Sequence, residues 1–114
     1  MELPLQITTR GFEHTPAIDE AVRKKAAKLD HLAERIMACR VVIERPPAHH
    51  HKGAPFNVHI DLTVPGAELV VKHEPHEDMY IALRDAFDAA ARQLIEHYDR
   101  LHDRTRHAVR PPVE

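Results

Sequence analysis

Two sets of side chains in this 114-residue chain are spaced for chemistry, one cationic and one rich in histidine. Lys24, Lys28, His31 and Arg35 recur at three- and four-residue intervals. On a helix turning about 100° per residue they line one flank, with Lys25 beside them and closer to the apolar stripe. A row of cations about a turn apart can follow a phosphate backbone, because each contact releases condensed counterions. An ammonium set against an apolar stripe, as Lys25 is, must snorkel to water or meet an anion. The same charges also have a reading that needs no ligand: Asp19 with Arg23 and Glu20 with Lys24 are i,i+4 pairs in the favourable order, as on a solvated face. Arg84, Arg92 and Arg100 follow later in the chain. Arg92 stands among Asp85, Asp88, Glu96, Asp99 and Asp103, a face that repels phosphate, whereas Arg84 and Arg100 lie nearer the borders of their helix's apolar stripe.

The histidines suggest metal first. His49, His50 and His51 are consecutive, while His59, His73 and His76 stand on separate segments. His76-Glu77-Asp78-Met79-Tyr80 has no second His four residues on, as a zinc-protease helix requires. No metal site and no cofactor are expected; the 49–51 run fits a polar loop, or phosphate contact when protonated. His76, Glu77 and Asp78 fit better as helix-start groups, acids complementing the helix dipole and its orphan N–H groups. Cys39 alternates with Val41 and Ile43 and reads as a small core residue; Tyr80 and Tyr98 read as core packing rather than base-stacking platforms. There is no Gly-rich phosphate loop, no nucleophile beside a base and no pair of carboxylates dividing acid and base roles. The chain is expected to act by binding and not as an enzyme.

The elements that must position these groups are legible from periodicity. Phe56, Val58, Ile60, Leu62 and Val64 alternate with polar residues, the signature of a strand buried on one face and the expected centre of the sheet. Leu3, Leu5 and Ile7 predict a first strand, Cys39, Val41 and Ile43 a second, and Glu68 to His73 a hairpin partner after the Pro65-Gly66 turn. Thr15-Pro16 opens a helix whose stripe is Ile18, Val22, Leu29, Leu32 and Ile36, with Ala21, Ala26 and Ala33 filling it. Glu74-Pro75 is taken to open a second, longer helix with Met79, Leu83, Ala86, Phe87, Ala90, Leu94, Tyr98 and Leu101 inward. The order is β-α-β-β-β-α: an α/β two-layer (α+β) fold, a four-stranded mixed sheet with two helices on one face. The first two strands should be parallel through a right-handed crossover and the later pairs antiparallel. Residues 1–103 form one domain, and 104–114, where periodicity ends, read as a flexible tail or linker.

Composition narrows the class. A formal net charge of -2 offers no bulk attraction for nucleic acid, so any such contact depends on where the cations sit. One cysteine excludes an internal disulfide and fits a reducing compartment. No apolar run reaches the ~18 residues of a membrane span and no signal peptide is visible, so a cytoplasmic protein with no membrane partner is expected.

Four motifs in matching order carry a family resemblance: Thr15-Pro16-Ala17-Ile18, Val64-Pro65-Gly66, His76-Glu77-Asp78-Met79-Tyr80 and Arg92-Gln93-Leu94. Over roughly Leu3 to Leu101 the chain resembles the hibernation-promoting factor / ribosome-associated inhibitor A (sigma-54 modulation protein) family, short form. The resemblance implies a double-stranded-RNA-binding-like fold and a stress or stationary-phase factor. Such a factor occupies ribosomal RNA of the small subunit where mRNA and tRNA bind. Lys25 and Lys28 fall on matching positions of the first helix and Arg92 on one of the second. The ribosomal-RNA-binding set expected is Lys24, Lys25, Lys28, His31, Arg35, Arg84 and Arg92. Ala89, Ile95, Glu96 and Tyr98 depart from the family, which is often basic or polar there, and the loop after the second strand is longer and His-rich. The alternative is a protein-interaction module on the same fold, working through the acidic second helix with exposed Ile81 and Ile95, or by pairing into a homodimer. Metal handling by the His loop is a third.

Overall fold

The computed structural model describes residues 4–32, 35–46, 55–72 and 74–109, with the side chains of the last helix as far as His102. Leu3, Ala33, Glu34, His49 to His51, His73, the Asp103 side chain and residues 110–114 therefore lie outside the described residues. The elements are β1 (Leu5–Arg10), α1 (Pro16–Leu32), β2 (Ala38–Glu44), β3 (Asn57–Val64), β4 (Ala67–Lys72) and α2 (Met79–Val109). They form one four-stranded sheet in the order β1-β2-β3-β4, with β1 parallel to β2 and both other pairings antiparallel. β3 is thus an interior strand, and the mixed β-α-β-β-β-α sheet read from periodicity is the one observed.

The core is what the alternation dictates. Cys39, Val41 and Ile43 of β2, Val58, Ile60, Leu62 and Val64 of β3, and Val71 of β4 are buried on one face. Ile18, Val22, Ala26 and Leu29 of α1 cover them together with Ala82, Leu83, Ala86, Phe87, Ala90 and Leu94 of α2. α1 lies against β1, α2 spans β3 and β4, and the helices pack on each other. The opposite face of the sheet stays open, carrying Arg40 3.8 Å from Asp61 and the Thr63 hydroxyl 3.3 Å from Glu68.

Local chemistry sets the boundaries. Thr15 Oγ1 accepts from the Ile18 N–H at 3.3 Å, so Thr15 caps α1 with Pro16 as its first residue. Gly66 at φ 79 follows Pro65 in the β3–β4 hairpin, the positive φ a type II turn requires at its third position. The second helix does not open at Glu74-Pro75. His76 first pairs with Phe56 through two backbone hydrogen bonds of 2.7 and 3.2 Å, extending the sheet by one bridge. Asp78 then caps α2: its Oδ1 accepts from the N–H groups of Tyr80 at 2.9 Å and Ile81 at 3.3 Å, and His76 Nδ1 accepts from the Asp78 N–H at 2.9 Å. Pro75 lies outside the helix because a strand partner and an Asp cap both act further along. The α2 backbone continues to Val109, beyond Leu101, which is itself exposed.

Candidate nucleic-acid interface

α1 buries a narrow stripe, and its two flanks differ in charge. Asp19, Arg23 and Asp30 fall on one flank, and Lys25, Lys28, Lys24 and His31 on the other. Lys24, Lys25 and Lys28 line a shallow depression of about 640 Å³ with Glu20 and three alanines, Ala17, Ala21 and Ala27. Lys25 is half-buried and Lys28 exposed; neither has an ion-pair partner among the described residues. Lys24 reaches Glu20 at 3.4 Å, a solvent-screened i,i+4 pair that a stronger anion can displace. Small alanines between the lysines leave room for a bulky anionic backbone to approach. Ala21 also borders the apolar stripe of α1.

The structure brings some predicted residues together and separates others. His31 is exposed in the last turn of α1, in line with Lys24 and Lys28. Arg35 is not on that flank: α1 ends at Leu32, and Arg35 lies in the turn before β2. There it lines a cavity of about 420 Å³ with Leu32, Leu94, Ile95, Tyr98, Asp99 and His102. The 100° projection holds only as far as Leu32, the last residue of α1. Asp19 pairs with His14 at 2.6 Å and not with Arg23, since the chain entering the helix folds back over its first turn.

On α2, Ile95, Tyr98 and His102 share that cavity with Leu32, so this border of α2 turns toward the end of α1. Arg84 lies on the same border, eleven residues before Ile95 and about 20° away around the helix. Its Nε and Nη2 both donate to Asp85 Oδ1, at 3.2 and 3.1 Å. Arg92 points away from the core, between Asp88 and Glu96 one turn to either side. Arg84 and Arg92 of α2 are therefore flanked by acids, whereas Lys25 and Lys28 of α1 have no ion-pair partner among the described residues.

The remaining candidates resolve simply. Cys39 is 1% exposed, and burial, with a smaller contribution from the Asp61 charge, pushes its thiol up to about 12, the state of an inert core residue. Tyr98 packs against the core; burial raises its phenol and the nearby Arg35 pulls it back. Tyr80 differs from expectation: it is 50% exposed, while Met79 and Ala82 of the same turn face the core. Ile81 is half-buried and Ile95 48% exposed, so of the two only Ile95 stands open. Among the described residues no three His, Cys, Asp or Glu side chains converge on a metal position, and no helix is long and apolar enough to cross a membrane.

Known proteins share both the sequence pattern and the fold. The ribosome hibernation promoting factor of Salmonella typhimurium is 35% identical over 99 residues, covering 87% of this chain and 97% of that protein. That of Escherichia coli K12 is 34% identical over the same shares. Among solved structures, the N-terminal domain of Thermus thermophilus Protein Y superposes with a TM-score of 0.66 at 28% identity, over 82% of this chain and 94% of that one. A ribosomal subunit interface protein from Coxiella burnetii shares the fold, with a TM-score of 0.69 at 19% identity over 85% of this chain and 99% of that one. The model of the Sigma 54 modulation protein / S30EA ribosomal protein family matches residues 5–102, from the first strand through the long helix, and the chain belongs to that family.

Proposed function

We propose that this protein is a ribosome-associated hibernation factor that acts by occupancy and not by catalysis. It lays the Lys24, Lys25 and Lys28 flank of α1 on ribosomal RNA of the small subunit, in the region used by mRNA and tRNA, in the cytoplasm under stress or in stationary phase. The observation that carries this reading is the lysine depression on α1, in a chain whose net charge is -2 and whose second helix sets five acids against five arginines. With no bulk attraction available, binding must come from locally matched phosphate contacts. His31 extends the flank by one turn, Arg84 approaches it from α2, and Arg35 and Arg92 contribute from the margins. An RNA backbone on α1 competes with Glu20 for Lys24 and gives the half-buried Lys25 an anionic partner. Family membership supports the ribosome as target, and the names of the relatives support hibernation as outcome.

Occupancy is tested by competition. Sedimented with empty small subunits the protein should be retained, and with subunits already carrying mRNA and tRNA it should stay in the supernatant. Equal retention on both would contradict the assigned region. A second reading, a protein-interaction module, is favoured by the apolar rim that Leu32 and Ile95 expose beside acidic Asp99. It predicts a complex indifferent to RNA and to salt. Self-association is the other partner reading.

A further inference from the structure

β4 ends the sheet, and among the described residues no other strand lies against its outer edge. The Pro65-Gly66 turn closes the pair Val64 and Ala67, and pairing runs without a bulge to His59 and Lys72. Antiparallel pairs alternate between hydrogen-bonded and non-hydrogen-bonded positions. Counted from the two-residue turn, Ala67, Leu69 and Val71 spend their N–H and C=O groups on β3. Glu68, Val70 and Lys72 therefore aim theirs at the free edge. The side chains of these same three residues are exposed, Val70 at 50%. The strand carries no proline, one of the devices that blunt an open edge.

We propose that this edge recognises itself: two copies of the chain pair β4 against β4, antiparallel, about a two-fold axis through Val70. In that register Val70 faces Val70 of the other copy and Glu68 faces Lys72, twice, while every outward backbone group finds a partner. Shifting by one pairing step sets Glu68 or Lys72 against Val70, and a larger slip sets like charges opposite each other, so charge selects the register. The occupant is a second copy because the sequence of signs, acid, apolar, base, is complementary to its own reversal. α1 lies over β1 at the far edge, so the pairing extends the sheet and leaves the lysine flank uncovered. It stands apart from the ribosomal reading and is tested without RNA.

Two six-residue strands bury less than a standard interface, so the dissociation constant should be on the order of 10–100 μM. Sedimentation velocity of the full chain at low salt, from about 10 μM to about 1 mM, should show a monomer passing to a dimer. Glu68→Lys and Lys72→Glu should each stay monomeric over that range. Mixed one to one they should form a heterodimer, and the double variant E68K/K72E should dimerise as the parent does. Val70→Pro, which deletes a donor aimed at the edge and none aimed at β3, should abolish the dimer while melting cooperatively. A parent that remains monomeric at the highest concentration, single variants that dimerise like the parent, or single variants that ignore each other would each overturn the proposal.

Discussion

Cys39 and Gly11 show how much single positions carry. Cys39 faces the helices from β2, and its thiol is raised from 9.0 to about 12, chiefly by burial. Below the unfolded value the native and unfolded chains hold the same proton, so stability is unaffected there. Between pH 9 and about 12 the unfolded chain releases a proton that the native chain keeps, and stability falls by up to about 1.4 kcal/mol per pH unit. Cys39→Val should remove that share of the alkaline slope, as read from denaturant titrations at pH 8 to 11; identical slopes would contradict the burial argument. Gly11 sits at φ 84, where an added Cβ would collide with the Arg45 carbonyl. Nearby, Phe12 packs edge-on to Phe56 at 5.2 Å, and the Arg45 guanidinium lies over the Phe56 ring. Gly11→Ala should cost about 2–4 kcal/mol in the same assay. Gly66→Ala, at a similar φ in open space, should cost about 1 kcal/mol.

At the scale of elements, strands were the most legible part of the sequence and helix ends the least. The alternation in β2 and β3 is a two-residue period with one face to bury, so a slip of one residue would invert it. The start of α1 was also legible, because Thr15 and Pro16 act locally. The end of α1 and the start of α2 were not: Ile36 is apolar in helical register but is buried after the helix stops, and Pro75 resembles a first helical residue but precedes a bridge between His76 and Phe56. Both outcomes depend on tertiary contacts that no window of sequence contains. Of the candidate site, the lysines at helical spacing could be read directly, the alanines among them had no reason to be noticed, and Arg35 left the flank where the helix ended. The Asp78 cap gives a direct check: Asp78→Ala should cost about 1 kcal/mol of stability, while Glu77→Ala, with no such bond described, should cost little. Equal destabilisation would mean that the dipole, not the hydrogen bonds, holds the first turn.

For the molecule as a whole, the sheet buries one face under two helices whose charges are arranged differently. α1 gathers Lys24, Lys25 and Lys28 on one flank with Glu20 beside them, whereas on α2 Arg84 is held by Asp85 and Arg92 stands between Asp88 and Glu96. With a net charge of -2 there is no bulk attraction for RNA, so the proposed contact depends on the α1 lysine flank facing phosphate. The most direct measurement is the affinity for isolated small ribosomal subunits as a function of salt, for the parent and for K24Q/K25Q/K28Q. Neutralising one phosphate-binding lysine should flatten the slope of log affinity against log salt by about 0.7–0.9. The account predicts a variant slope shallower by about 2–3 and affinity lower on the order of a hundredfold at low salt. A variant that matches the parent in both slope and affinity would contradict the assignment of α1 as the RNA-binding flank.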